Sequence, residues 1–266
     1  MNFQPLIPQG GLPGWVVLNA TLERQTEVFN SSPIIQRDTA YFEENIAKIL
    51  TPEQLVSDRR LLRVALGAFG LLDDIDNRAF IRTILDEGTV RDDALANRLS
   101  DDRYKQLADA FAFADRPVPR TQLSTFPGEI VAAFRRQEFE VAVGEQDEAL
   151  RLAMNTQREL PDILSDSNDD DTIWYRIMGT PPLRKVFEVA LGLPDTFAQR
   201  DIDRQLETFK EQFDRQLDVG ALADLAQEDQ LEVLIRRYLL RDQVAAIEVQ
   251  SSNAIALMLL QSPPRL

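Results

Sequence analysis

The stretch that decides the fold is Asp58-Arg-Arg-Leu-Leu-Arg-Val-Ala-Leu-Gly-Ala-Phe-Gly70, in which apolar residues recur every three or four positions. This spacing predicts a helix that buries one face. A second version occurs as Pro182-Leu-Arg-Lys-Val-Phe-Glu-Val-Ala-Leu-Gly192. Ala65-Leu66-Gly67 aligns with Ala190-Leu191-Gly192 at a shift of 190 − 65 = 125 residues.

The alignment extends beyond these two stretches. At the same shift Ile81 meets Leu206 and Ile84 meets Phe209. Further along the shift becomes 231 − 104 = 127 residues, and the aligned pairs are Tyr104 with Leu231, Leu107 with Leu234, and Phe111 with Tyr238. We infer a duplicated set of helices. The alternative is chance, because any two amphipathic helices share such spacing.

The rest of the chain repeats the helical pattern. Thr51-Pro52-Glu53-Gln54 predicts a helix start with a capping box. No segment shows sustained alternation of apolar and polar residues between turn signals, as strands would. We therefore predict an all-α fold, a compact array of eight or more helices in two related halves.

Proline and glycine place the predicted boundaries. Residues 1–14 contain six of them and are expected to be irregular. Pro117, Pro119 and Pro127 predict a stiff crossover over residues 117–128. The first helical half is then 15–116, the second is 129–260, and residues 261–266 form a tail.

Charge narrows the classes of partner. The 266 residues carry a net charge of −15, from 44 acidic and 29 basic side chains. Phosphate attraction requires a positive face, so we expect no nucleic-acid partner and no binding to anionic membranes. There is no apolar run of about 18 residues and no secretory signal pattern, so we expect neither a membrane span nor Sec-type export.

The chain contains no cysteine and no histidine. This excludes disulfides, thiol nucleophiles, Cys/His zinc sites and imidazole chemistry. Paired carboxylates could still do acid–base work, and the obvious groups are Asp201 with Asp203, and Asp73 with Asp74 and Asp76. Aspartate at helix starts is equally expected for capping. We therefore assign no catalytic, cofactor-binding or metal-binding residue and expect no enzyme.

The run Asp166-Ser-Asn-Asp-Asp-Asp171 alternates oxygen ligands as a calcium loop does. Asp171 stands where such a loop needs glycine, and Ile177 stands where it needs the final glutamate. We favour an acidic loop, residues 166–171, in which an aspartate caps the helix that begins near Thr172.

Three arginines open the repeated helices. They are Arg59 and Arg60 in the first repeat and Arg184 in the second. As exposed side chains they would be the first positions to test for function. We favour a structural interpretation, in which they pair across helices with Asp58, Asp201 or Asp203.

Several strings together carry a resemblance to a known family. They are Tyr41-Phe-Glu-Glu-Asn-Ile46, Asp58-Arg-Arg-Leu-Leu62, Ala65-Leu-Gly-Ala-Phe-Gly70, Pro181-Pro-Leu-Arg184, Ala190-Leu-Gly-Leu-Pro194 and Asp201-Ile-Asp-Arg-Gln205. They resemble the alphaproteobacterial domain-of-unknown-function family numbered twelve-seventeen, over about residues 15–240. Members of that family are all-helical, and their genes often lie in flagellar clusters. The resemblance implies a helical fold and a link to the flagellum, and it supplies no catalytic residue.

Two functional hypotheses follow. The first is a non-enzymatic structural or assembly-associated protein of the bacterial flagellum, located in the cytoplasm or with the flagellum, whose partners are other proteins. The alternative is a cytoplasmic acidic adaptor or chaperone-like module with a groove for an amphipathic partner helix. The oligomeric state is not predicted.

The two terminal helices bear on the first hypothesis. Apolar residues follow near-heptad spacing over 15–29 and again over 244–258. Axial flagellar components tend to pair such terminal helices into coiled coils. Each seam covers only about two heptads, fewer than a coiled coil normally needs. We therefore favour the interpretation that both helices cover the core.

Overall fold

A computed structural model describes residues 4–99, 101–165 and 169–261, with side chains described as far as residue 247 except at position 195. The described residues form thirteen α-helices and no strand, which confirms the all-α prediction. The helices are α1 (Gly11–Asn30), α2 (Pro33–Asn45), α3 (Pro52–Ser57), α4 (Arg59–Gly67), α5 (Arg78–Glu87), α6 (Leu95–Arg98), α7 (Asp102–Phe111), α8 (Phe126–Gly144), α9 (Glu148–Ser165), α10 (Asp170–Gly179), α11 (Pro181–Leu191), α12 (Ile202–Gln216) and α13 (Glu228–Gln261).

The chain forms two compact units. Unit 1 comprises Met1–Leu6 and Leu18–Gln146, and unit 2 comprises Ile7–Val17 and Asp147–Leu266. The predicted boundary at 117–128 is therefore wrong, because this segment lies within unit 1. The predicted halves, 15–116 and 129–260, do not coincide with the units either.

Contacts within unit 1 explain why the proline-rich segment is not a linker. Thr121 is fully buried, and its hydroxyl donates to the Ile49 carbonyl at 2.7 Å. The Gln122 side-chain amide donates to the Ala47 carbonyl. Prolines at 117 and 119 lead into a short 3-10 turn, Arg120–Gln122, that is packed rather than free.

Unit 1 is built around α4. Asp58 caps this helix, because its carboxylate accepts hydrogen bonds from the backbone N–H groups of Arg60 and Leu61 at 2.9 and 3.1 Å. The apolar face of α4 is buried against α2 and α8, which also pack on each other. Gly70 adopts φ +68° and lets the Leu71 N–H reach back to the Leu66 carbonyl at 2.9 Å, which closes the helix.

Unit 2 is built in the same way around α11. This helix packs on α9 and α13, which also pack on each other. Gly192 closes it in the left-handed conformation, with φ +68°. The Trp174 ring fills the space beside α11, with ring centroids 5.5 to 5.7 Å from those of Phe187, Phe209 and Phe213.

The packing order supports a duplicated set of helices. In each unit a short helix, α3 or α10, comes directly before the central helix. This short helix packs on the helix that comes directly after the central one, α5 or α12. A 3-10 turn, Arg120–Gln122 or Leu222–Ala226, then leads into the third helix of the group, α8 or α13, and packs on it.

The same packing corrects the second part of the sequence alignment. By its neighbours the counterpart of α13 is α8, whereas α7 packs on α5, α6 and the Arg120–Gln122 turn. The pairing at a shift of 127 residues, Tyr104 with Leu231 and Phe111 with Tyr238, is therefore wrong. Helices α6 and α7 are additional elements of unit 1.

The N-terminal boundary also differs from the prediction. Helix α1 begins at Gly11, although residues 1–14 were expected to be irregular. Pro13 lies in the first turn of the helix, where its missing N–H has no partner to lose. At the other end α13 runs to Gln261, and the rest of the predicted tail, 262–266, lies outside the described residues.

Gln25 lies on the apolar face of α1 and is 7 % exposed. Its side-chain oxygen accepts from the Leu6 N–H at 2.6 Å, and its amide nitrogen donates to the Leu6 carbonyl at 3.3 Å. The side chain thereby satisfies a buried backbone pair and fixes the segment before α1.

The close approach of α4 and α8 can be tested at Gly67. A Cβ at this position would lie 2.7 Å from the Phe134 ring, so Gly67→Ala should destabilise the protein by about 1–3 kcal/mol. Gly128 in α8 has no atom within 4 Å of a Cβ, and Gly128→Ala should be neutral or stabilising by up to about 1 kcal/mol. Urea unfolding measures both. Equal midpoints for the two variants would contradict this packing.

Candidate functional site: the outer stripe of the last helix

The arginines singled out in the sequence make structural contacts. Arg59 pairs with Asp76 at 2.5 Å, and this hydrogen bond lowers the pKa of the Asp76 carboxyl. The Arg60 guanidinium lies 3.9 Å from the centre of the Tyr41 ring, and the Tyr41 hydroxyl donates to Asp58 at 2.7 Å. These contacts hold the start of α4 against α2.

Arg184 has a similar role in unit 2. Its Nε donates to Glu188 at 2.8 Å, and its Nη2 donates to the Gln205 side-chain oxygen at 2.6 Å. The structural interpretation is right in kind, but the expected partners Asp201 and Asp203 are wrong.

The carboxylate groups proposed for acid–base work also make local hydrogen bonds. Asp201 caps α12, and Asp203 accepts from the Tyr175 hydroxyl at 3.0 Å. Asp74 accepts from the Tyr104 hydroxyl at 2.5 Å. Burial, together with this bond, raises the pKa of Tyr104 to about 12.

The acidic loop is described in part. Asp169 caps α10, accepting from the Thr172 N–H at 3.0 Å and from its hydroxyl at 2.6 Å, and these bonds lower the pKa of the Asp169 carboxyl. Asp171 pairs with Lys210. The capping interpretation is confirmed for this part, while 166–168 lie outside the described residues. Over the described ranges no group of three or more His, Cys, Asp or Glu side chains is placed to hold a metal ion.

Unit 1 has a cleft of about 370 Å³ lined by Phe29, Ile35, Val141, Arg63 and Glu138, among others. Arg63 lies between two acids, 3.3 Å from both Asp38 and Glu138. Burial raises the pKa of the Glu138 carboxyl, and Arg63 opposes that rise. This arrangement joins α4 to α2 and α8, and it places a desolvated carboxylate at an apolar cleft.

Helix α13 has two apolar faces. One is buried in unit 2 and consists of Leu231, Leu234, Ile235, Tyr238 and Leu239. The other consists of Val233, Leu240, Val244 and Ile247, which are 38 %, 49 %, 55 % and 62 % exposed. Spacings of seven, four and three residues keep these four on one side of the helix. We call these four residues the outer stripe.

The outer stripe continues beyond the packed part of α13. Arg237 donates to the Ala190 carbonyl at 2.9 Å, and Arg241 donates to the Gln216 side-chain oxygen at 3.3 Å. From Gln243 to Ile247 every residue is exposed. The expectation that the C-terminal helix covers the core is therefore wrong for Val244 and Ile247, and the positions from 248 onward lie outside the described side chains.

The first terminal helix behaves as expected. Trp15 and Leu18 are fully buried, and Phe29 is 8 % exposed. The Trp15 indole N–H donates to the Glu232 carboxylate at 3.0 Å within unit 2. The two terminal helices thus differ, although their sequence spacing is alike.

The outer stripe could have been found from the sequence by extending the pattern backward. Val233 and Leu240 stand seven residues apart, and Leu240 stands seven residues before Ile247. Without the structure these residues could equally face the core. In the part of the chain described here, no helix is both long enough and apolar enough to cross a membrane.

Fold and surface together define an all-helical protein of two units whose last helix presents apolar residues to solvent. The chain belongs to the family described as Protein of unknown function (DUF1217), whose model matches residues 68–229. This span is narrower than the resemblance expected over 15–240, and it ends at the first turn of α13, before the outer stripe.

A solved structure shares the fold. The crystal structure of protein AGR_C_984 from Agrobacterium tumefaciens is similar with a TM-score of 0.72 and 23 % identity, covering 90 % of this chain and 97 % of that one. At this identity the similarity establishes the fold alone. Among curated proteins no match was found.

Asp242 lies at the end of the part of α13 that is packed within unit 2. Burial, and then repulsion from Asp147, raise the pKa of its carboxyl, while Lys185 opposes the rise. A raised folded-state pKa means that the charge opposes folding at neutral pH and that stability is regained as the pH falls through that pKa.

Asp242→Asn should therefore raise the stability of the protein at pH 7 by about 0.5 kcal/mol, a solvent-screened value, and the gain should shrink toward pH 4. Thermal unfolding over this pH range measures the effect. Asp229→Asn, in the first turn of the same helix, is the matched control and should bring no gain. A loss of stability in Asp242→Asn at pH 7 would refute the assignment.

Proposed function

We propose that this protein is a non-enzymatic structural or assembly-associated component linked to the bacterial flagellum, and that it acts through protein–protein contacts made by the outer stripe. The observation that carries the proposal is the exposure of Val244 and Ile247, which are 55 % and 62 % exposed on a helix that extends past the packed part of unit 2. Aligned apolar side chains at a surface are typical of a contact that a partner completes.

The surroundings of the outer stripe favour a protein partner. The chain carries a net charge of −15, so phosphate-rich partners are repelled over most of its surface. Between Gln243 and Leu260 the only charged residue in the sequence is Glu248. An apolar, weakly charged helix face is the kind of surface that another helix covers.

The flagellar part of the proposal rests on the family. The chain belongs to the DUF1217 family, and it is the sequence resemblance that implies a link to flagellar gene clusters. The long last helix fits an assembly role, since proteins that associate end to end or side by side commonly do so through such helices.

The alternative is an acidic adaptor that holds a partner helix in a groove. The cleft of unit 1 is the observation that favours it, because apolar Phe29, Ile35 and Val141 lie beside the carboxylate of Glu138. An apolar segment with one basic residue would match this lining. The variants described next distinguish the two, since they leave the cleft unchanged.

The test is a deletion strain complemented with plasmid-borne variants and scored for swimming and for filaments. We expect the deletion to reduce swimming, wild type to restore it, and the double variant Val244→Ser with Ile247→Ser to fail at equal protein level. The double variant Val90→Ser with Val118→Ser is the matched control, because these valines are 76 % and 60 % exposed but lie outside α13.

Each outcome bears on a separate part of the proposal. Normal swimming and filaments after deletion contradict the flagellar assignment. Full rescue by the Val244/Ile247 variant contradicts a contact through the outer stripe and favours the alternative, in which the partner binds in the unit 1 cleft.

A further inference from the structure

We propose that the partner of the outer stripe is a second copy of this chain, so that α13 of one copy pairs with α13 of the other. This inference rests on the proposed function for the surface that it uses, and it adds the identity of the occupant. It accounts for the length of the apolar pattern, for its low charge and for the hydrogen bonds that hold the neighbouring arginines away from it.

The apolar pattern of α13 is long enough for two copies of the helix to pair. The sequence pattern over 244–258 alone covers about two heptads, which is too short for a coiled coil. Helix α13 is continuous from Glu228 to Gln261, so the exposed Val233 and Leu240 belong to the same pattern. In the sequence the spacing continues through Ser251, Ala254 and Met258, of which Ser251 is the polar one. From 233 to 258 this makes 258 − 233 + 1 = 26 residues, nearly four heptads, the length at which helices pair.

The distribution of charge also favours pairing of two copies along α13. Two copies that each carry −15 repel each other over most of their surfaces. The segment from Gln243 to Leu260 has a single charged residue, Glu248, so it is a place where two copies can approach with little repulsion. An oppositely charged protein would gain more by binding the acidic surfaces elsewhere on the chain.

The arginines beside the outer stripe leave it accessible to a second copy. Arg237 follows Val233 by one helical turn, and a free guanidinium there would interrupt an apolar seam. Its Nε is held by the Ala190 carbonyl and its Nη2 by the Gln216 side chain, both within unit 2. The Arg236 Nε is held by Glu232 at 2.7 Å on the same helix. Both arginines beside the outer stripe are thus hydrogen-bonded within unit 2, and the apolar residues of the outer stripe stay accessible.

The outer stripe is also suited to a two-fold symmetric dimer. A two-fold dimer uses the same patch on both copies, and the outer stripe, which consists of four apolar residues, is complementary to itself. Val244 and Ile247, the most exposed of the four, would lie in the middle of the paired region 233–258.

Light scattering after size exclusion measures the association of the full-length protein. The chain has a mass of 30.2 kDa, so a dimer has 2 × 30.2 = 60.4 kDa. We expect wild type to approach the dimer mass as its concentration rises. The double variants Val244→Asp with Ile247→Asp, and Val244→Lys with Ile247→Lys, should each weaken the dimer by about a hundredfold through like-charge repulsion.

A mixture of the two charged variants is the decisive sample. If the outer stripe faces itself, aspartates of one copy meet lysines of the other, and the mixture should return to the dimer mass. Val90→Asp with Val118→Asp is the matched control and should dimerise like wild type. Far-UV circular dichroism and thermal unfolding verify that each variant remains folded.

The results separate this inference from the proposed function. A wild-type protein that stays at 30.2 kDa at all concentrations overturns the second copy as partner, as does a charged mixture that stays monomeric. If swimming still depends on Val244 and Ile247 in that case, the proposed function stands with another protein as occupant. A dimer lost in the charged variants, with swimming unaffected by the serine variant, supports this inference and removes the outer stripe from the proposed function.

Discussion

The fold depends on burying the apolar face of one central helix in each unit. In α4 the side chains of Leu62, Val64 and Leu66 are fully excluded from solvent, and in α11 so are those of Leu183 and Phe187. Each such side chain contributes about 1.5–3 kcal/mol, whereas a helix cap contributes about 1 and an exposed ion pair less than 1. The caps and arginine pairs therefore set where helices begin and how they meet, and burial decides that they pack.

Local features of the fold could be predicted from the sequence. The capping box at Thr51 and Gln54, the aspartate caps and the stop at Gly70 depend on residues within one or two turns, so their signals lie close together. The unit boundary could not be predicted, because it depends on where Thr121 finds a buried acceptor 72 residues away. Gln25 is a similar case, because the buried backbone group that it satisfies, the Leu6 N–H, lies 19 residues away in the chain.

The candidate site shows a different limit of sequence reasoning. Spacing places Val244 and Ile247 on one face, but a face that meets the core and a face that meets another protein have the same spacing. Arginine roles were predictable in kind because a guanidinium beside acids is usually paired. Which acid each one reaches depends on a long side chain and on tertiary packing, so Arg59 found Asp76 and Arg184 found Glu188.

The path of the chain has a consequence for how the protein is made. Trp15 belongs to unit 2, although the residues on both sides of its segment belong to unit 1. Its indole N–H finds its acceptor at Glu232, 217 residues later. At about 5–20 residues per second, a ribosome needs about 4–17 s to add the 232 − 146 = 86 residues between the end of unit 1 and that glutamate. The Trp15 side chain is thus synthesised long before its acceptor, and this hydrogen bond can form only after all of unit 1 has been made.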